Sequence, residues 1–165
     1  MEYNFLMING KKLPLTEEQV AALLGGKETE CEKVDPFERM MLRRYFYIAN
    51  NGEVLNDCDN MGITDGGRYN VGNYCSDKEM MNQRALHETL NRLLWRYSEQ
   101  HGGDSEWNNE NGHYCIAVMD CTVQINFYVY RKMAGTVYFK DRDTAQAAIE
   151  DVVKPFLAEH PDFVW

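Results

Sequence analysis

No stretch of apolar residues in this chain approaches the roughly 20 that a membrane span requires, and none of its five cysteines stands in CxxC spacing. The first absence predicts a soluble protein with no membrane partner. The second, with the odd cysteine count and the lack of a charged-then-apolar leader, predicts free thiols in a reducing cytoplasm.

Positive charge is also scarce. Against 26 Asp and Glu there are 17 Lys and Arg, a net charge of −9. That balance opposes a nucleic-acid binder that works by neutralising phosphates. Mimicry of nucleic acid needs a dense array of carboxylates, whereas the denser acidic patches here, residues 28–35 and 104–110, read as solvated linkers.

Motifs that carry chemistry are missing as well. The four histidines, His87, His101, His113 and His160, are scattered, with none in an HExxH or HxE…CxxC setting. His113, Cys115 and Cys121 come nearest to a metal cluster but lack a fourth ligand. Asp57-Cys58-Asp59 invites a calcium-loop reading. A loop beginning at Asp57 would put Met61 at position 5 and Arg68 at position 12, where oxygen ligands are needed, so residues 56–67 read instead as a solvated, turn-forming loop. Cys75 and His87 have no hydrolase motif around them. Gly66-Gly67 and Gly102-Gly103 lack the strand-GxGxxG-helix setting that cradles phosphate. The aromatic run 127–132 lacks the glycines of an RRM platform. The expectation is a protein with no catalytic residue, no metal and no cofactor.

What is present is architecture. A chain of 165 residues, 44% apolar and 12% aromatic, can bury one core, as a single domain or as two small units sharing it. Residues 3–15 read as a hairpin around Asn9-Gly10. A helix follows, with a capping box at Thr16 and Gln19, a staple between Leu15 and Val20, and a stop at Gly25-Gly26. Residues 27–34 read as a charged linker, and Asp35-Pro36-Phe37-Glu38 as the start of a short helix. A second hairpin pairs residues 45–49 with 53–55, Phe46 and Ile48 facing one way and Tyr45 and Tyr47 the other.

Residues 68–100 organise the rest. Tyr69 and Val71 alternate as in a strand, Gly72 breaks it, and Ser76 with Glu79 forms a capping box that opens the longest helix. Leu86, Leu90, Leu93, Leu94 and Tyr97 share one face of that helix. Trp95 points away from them, among Arg84, Glu88, Asn91, Arg92 and Glu99. Either the N-terminal hairpin-helix or the tail folds over this tryptophan, or it anchors an interface.

After a polar connection anchored at Trp107 come a hairpin, 113–119 with 122–130, and a third strand, 136–139. In the hairpin's second strand Val123, Ile125, Phe127 and Val129 line one face and Gln124, Asn126, Tyr128 and Tyr130 the other. Asp141 or Asp143 caps a last helix with Ala145, Ala148, Ile149, Val152 and Phe156 on one side, ended or kinked at Pro155. The apolar tail 163–165 packs back. Tyr114-Cys115-Ile116-Ala117 lines up with Phe46-Tyr47-Ile48-Ala49, and Arg131-x-x-x-Gly135 with Arg68-x-x-x-Gly72. The order of elements therefore repeats. The predicted fold is α+β: an antiparallel sheet with helices on one face, built from two similar hairpin-strand-helix units, 35–100 and 113–165, plus an N-terminal hairpin-helix and linker, 1–34, in one compact domain.

Gly72-Asn73-Tyr74 leading into a capped helix, its partner Tyr138-Phe139-Lys140-Asp141 leading into Asp143-Thr144-Ala145, and the opening INGKKLPLTEEQVAALL resemble patterns common in small proteins of phages and prophages of Gram-positive gut bacteria. The second copy carries Val137 in place of the asparagine, and the first carries Cys75 in place of an aromatic. The resemblance implies a mobile-element accessory protein in the cytoplasm of a bacterial host, a class that includes inhibitors of bacterial defence such as anti-CRISPRs. The functional expectation is a non-enzymatic binder of a host protein or complex, or of a second copy of itself, without direct contact to nucleic acid. Its interaction surface is expected at Trp95, Arg92, Asn91, Tyr128, Tyr130, Tyr45 and Tyr47. The alternatives are a small-ligand binder that sequesters a nucleotide between the two units and, third, an enzyme of unknown class.

Overall fold

A computed structural model describes residues 5–8, 11–14, 35–104, 107–108 and 110–165. The fold is α+β, with every described strand pair antiparallel. Residues 1–38 and 39–165 form two compact units. In the first, β1 (Phe5–Ile8) pairs with β2 (Lys11–Pro14), and Ile8 stands opposite Lys11, so two residues connect them, as the Asn9-Gly10 hairpin requires. The helix expected at 16–24 and the linker at 27–34 lie outside the described residues. Instead of a short helix, residues 35–38 form one turn, in which the Asp35 carboxylate accepts from the Phe37 amide at 2.9 Å.

The second unit begins with β3 (Arg44–Ile48) and β4 (Val54–Cys58), paired from Arg44↔Cys58 to Ile48↔Val54. The strand β4 thus continues into the stretch expected to be loop. A helix, α1 (Ile63–Asn70), follows where a strand at Tyr69 and Val71 was expected. The reason is Asp65: its carboxylate accepts from the Gly62 amide at 3.1 Å and caps the helix ahead of that alternation. Gly72 then terminates α1 at φ 71°, a left-handed conformation suited to glycine. The extended contact falls at Cys75, which bridges Phe46 on the free edge of β3.

The long helix, α2 (Lys78–Gln100), is capped by Asp77, whose carboxylate accepts from the Met80 amide at 3.0 Å, and not by Ser76. Asp77 has the extended φ of −94° that an N-cap adopts. The helix serves two cores. Met81 and Ala85 pack with Ile48 and Cys75, while Leu90 and Leu94 pack with Phe139, Ala145, Val153, Phe156 and Phe163. Leu86, Leu93 and Tyr97 lie against the second core, so the apolar stripe read from the sequence faces inward.

In the remaining half β5 (His113–Met119) takes β6 (Thr122–Tyr128) on one side and β7 (Tyr138–Phe139) on the other. Val123 and Ile125 reach the core, but Phe127 is exposed. Asp141 caps α3 (Arg142–Ala148), accepting from Thr144 at 2.7 Å. The helix widens into a π turn over residues Ile149–Val153 before α4 (Lys154–Glu159), so the helical path accommodates Pro155, which lacks a donor, and continues. The tail does pack back: Phe163 is buried and Trp165 lies against the same core.

An extended segment beside the first strand of a hairpin leads two residues later into an aspartate-capped helix at Cys75 and Asp77 and again at Phe139 and Asp141, but α1, between the first hairpin and Cys75, has no counterpart between β6 and β7. The strands do not join into the single sheet expected. The described pairings form three separate sheets, of order β1-β2, β3-β4 and β6-β5-β7.

Candidate interaction surface

Trp95 sits on the outer face of α2 with 59% of its surface exposed. Asn91 and Arg92, one turn back on the same face, are exposed too. Arg92 is held along the helix, its guanidinium donating to the Glu88 carboxylate at 3.2 Å and to the Glu88 carbonyl at 3.1 Å. Arg84 pairs with the same carboxylate at 3.0 Å. Beside Trp95 lies an open cleft of 290 Å³ bordered by Asn91, Glu99, Asp104, Lys132 and Thr136. A neighbouring cleft of 340 Å³ shares Asn91 and Gly135 with it and reaches His87 and Trp165. The wall opposite α2 is the segment between β6 and β7, pinned where the Met133 amide donates to the Tyr138 hydroxyl at 2.9 Å. That segment also carries Tyr130, 83% exposed.

The seven tyrosine, tryptophan, arginine and asparagine positions expected at the surface therefore separate. Trp95, Arg92, Asn91 and Tyr130 are exposed, and Tyr128 is half-buried beside His113 in the β5–β6 register. Tyr45 and Tyr47 do not belong with them. Tyr45 is 0% exposed and stacks on Tyr74 with ring centres 4.2 Å apart. Tyr47 is half-buried under the Arg68 guanidinium, which lies 3.5 Å from its ring centre.

What removes these two tyrosines from the surface is a polar network that the sequence reading assigned to a solvated loop. Asp59 is 0% exposed. Its carboxylate takes the Arg39 guanidinium at 2.8 and 3.2 Å and the Met61 amide at 2.7 Å, and its carbonyl accepts from Leu42. The hydrogen bond from Arg39 holds the Asp59 carboxyl below the ordinary carboxylate range. Leu42 and Met61 have φ of 61° and 59°, an uncommon backbone for such side chains, and Asp59 holds both. In the same region the Tyr45 hydroxyl donates to Asp65 at 2.7 Å and accepts from Arg68 at 2.6 Å, and Arg68 also pairs with Asp57 at 2.9 Å. Burial, then the bond to Asp65, pushes the Tyr45 phenol up to about 12. These side chains are consumed by one another, so the network holds the fold in place.

Two other sequence candidates are likewise occupied. His113, 3% exposed, meets the Asp104 carboxylate with Nδ1 at 2.6 Å and the Asn108 carbonyl with Nε2 at 2.8 Å, under the Trp107 ring at 3.6 Å. Both nitrogens are engaged, Cys115 lies opposite Asn126, and Cys121 lies beyond the end of the β5–β6 ladder. Cys75 is buried against Met80 and the Asp77 amide, and burial raises its thiol, while His87 packs on Phe163 at 4.7 Å. The pair needed for a thiol nucleophile is not assembled.

Comparison of the chain with models of known protein families, with characterised proteins and with solved structures finds no match.

Proposed function

We propose that this chain is a non-enzymatic binding protein that holds a partner protein against the outer face of α2, with Trp95 as the anchor. The observation that carries the reading is a tryptophan 59% exposed in the middle of a 23-residue helix whose opposite face supplies two cores. Trp and Arg are the residues that most often dominate binding energy, and an anchor beside a cleft gives a partner side chain somewhere to go. The resemblance to phage and prophage proteins adds the setting: a mobile-element accessory protein in a bacterial host cell, acting on a host protein or complex. Inhibition of a defence or nucleic-acid-handling machine is the favoured case.

The test compares capture from host lysate by the wild type and by Trp95→Ala, with bound proteins identified by mass. Loss of one specific partner at unchanged melting temperature supports the reading. Equal capture by both chains overturns it.

A nucleotide held between the two halves is the weaker alternative, because the clefts along α2 gather Glu99 and Asp104 against Lys132, and Glu79, Glu159 and Asp162 against no described lysine or arginine. Phosphates are repelled by that pattern.

A further inference from the structure

The cleft at the first half of α2 has a chemistry distinct from the surface at Trp95. It opens between that half of the helix, the β3–β4 turn at Gly52 and the segment 159–163, with a volume of 380 Å³. Its floor includes Val54, Leu86 and Phe163. Its rim carries three exposed carboxylates, Glu79, Glu159 and Asp162, and none of the described lysines or arginines lines it. Among the described residues none of the three is ion-paired. His160, its ring against Phe156 at 4.5 Å, is the other titratable group on the rim. The wall is fixed by Gln83, whose amide donates to the Asp162 carbonyl at 2.8 Å and whose carbonyl accepts from the Val164 amide at 3.0 Å.

An apolar floor under an acidic rim complements a lysine or arginine: the aliphatic stem covers the floor and the charged head reaches the carboxylates. We infer that this cleft receives a basic side chain of the partner protein. The inference rests on the protein-binding reading above and adds the chemistry of the partner, which the net charge of −9 attracts over longer range. Glu79 and Trp95 lie about 24 Å apart along the helix axis and, at about 100° per residue, about 160° apart around it, so this cleft and the Trp95 surface are separate contacts.

The experiment titrates the 15N-labelled full chain with the peptide Ac-Gly-Arg-Gly-NH2 and, separately, with its neutral citrulline isostere. The expected result is saturable shifts at the Gly52 and Phe163 amides and at the Gln83 side-chain amide with the arginine peptide alone. Raised salt and the double variant Glu159→Gln/Asp162→Asn should each weaken binding, the variant by about tenfold or more. Both replaced side chains are exposed, and the spectrum of the variant reports directly that it is folded. No shift at these groups, equal shifts with citrulline, or binding indifferent to the double variant overturns the inference. A silent cleft combined with loss of partner capture in Trp95→Ala leaves the protein-binding reading standing and removes this one. An arginine-specific cleft combined with unchanged capture by Trp95→Ala does the reverse.

Discussion

Leu94 and Trp95 are neighbours in the chain and opposites in environment: the leucine is 6% exposed in the core that α2 shares with Phe139, Val153 and Phe156, and the tryptophan next to it is 59% exposed. A helix places consecutive side chains about 100° apart, so a buried stripe and an outward aromatic can occupy the same turn. In the proposed function, stability and recognition are thereby divided between two faces of one element.

That division predicts a contrast in unfolding. Leu90→Ala and Ile149→Ala each empty a buried site and should lower stability by about 2 to 5 kcal/mol, whereas Trp95→Ala should cost under about 1 kcal/mol. Urea denaturation of the three variants against the parent measures the difference.

The polar network around Asp59 gives a second expectation. Replacing Asp59 with Ala strands Arg39 and frees the Met61 amide with its left-handed turn, while the Leu42 amide keeps the main-chain carbonyl of residue 59, a loss of about 1 to 3 kcal/mol by the usual cost of leaving hydrogen-bonding groups without their partner. Because the folded carboxyl is held below its ordinary range, its stabilising contribution is present above the unfolded pKa of about 3.9 and disappears as pH falls through the lower folded value. Acid denaturation of the parent should therefore be steeper at low pH than that of Asp59→Asn.

Tyr45 acts at the other extreme of pH. Its phenol is raised to about 12 in the folded chain, against about 10 in an unfolded one. Stability from the protonated form is complete below pH about 10 and is lost as pH rises through about 12. Absorbance titration near 295 nm should show a late tyrosine step accompanying alkaline unfolding, shared with Tyr74, whose phenol burial also raises, and Tyr45→Phe should reduce that step.

Much of the frame was legible in the sequence because it depends on local pattern. The Asn9-Gly10 hairpin, the β5–β6 hairpin, the cap at Asp141 and the inward stripe of α2 follow from residue spacing. The errors have a common cause. Tyr69 and Val71 alternate like a strand, yet Asp65 caps a helix that takes in Tyr69 and ends at Val71, and Asp57-Cys58-Asp59 reads as solvated until Arg39, twenty residues away, is brought onto it. Long-range ion pairs leave no periodicity. The same holds at the candidate site: the wheel separates Trp95 from Leu94, but nothing local distinguishes Tyr130 on the surface from Tyr45 beneath Arg68.

The described cysteines give a direct chemical check. Cys58, Cys75, Cys115 and Cys121 are free thiols, with Cys58 and Cys121 exposed and the other two buried. Burial raises Cys75 and Cys115, which lowers their thiolate fraction. A thiol reagent at neutral pH should modify Cys58 and Cys121 promptly and reach Cys75 and Cys115 only on unfolding, as peptide mapping can show.

The most direct measurement of the central claim places a photoreactive p-benzoylphenylalanine at position 95 and, as a control, at position 47. Irradiation in host lysate is predicted to give one adduct of defined mass from position 95, joining the chain to a single partner protein, and none of that mass from position 47. An adduct at position 95 that joins the chain only to itself, or none above the control, contradicts the account.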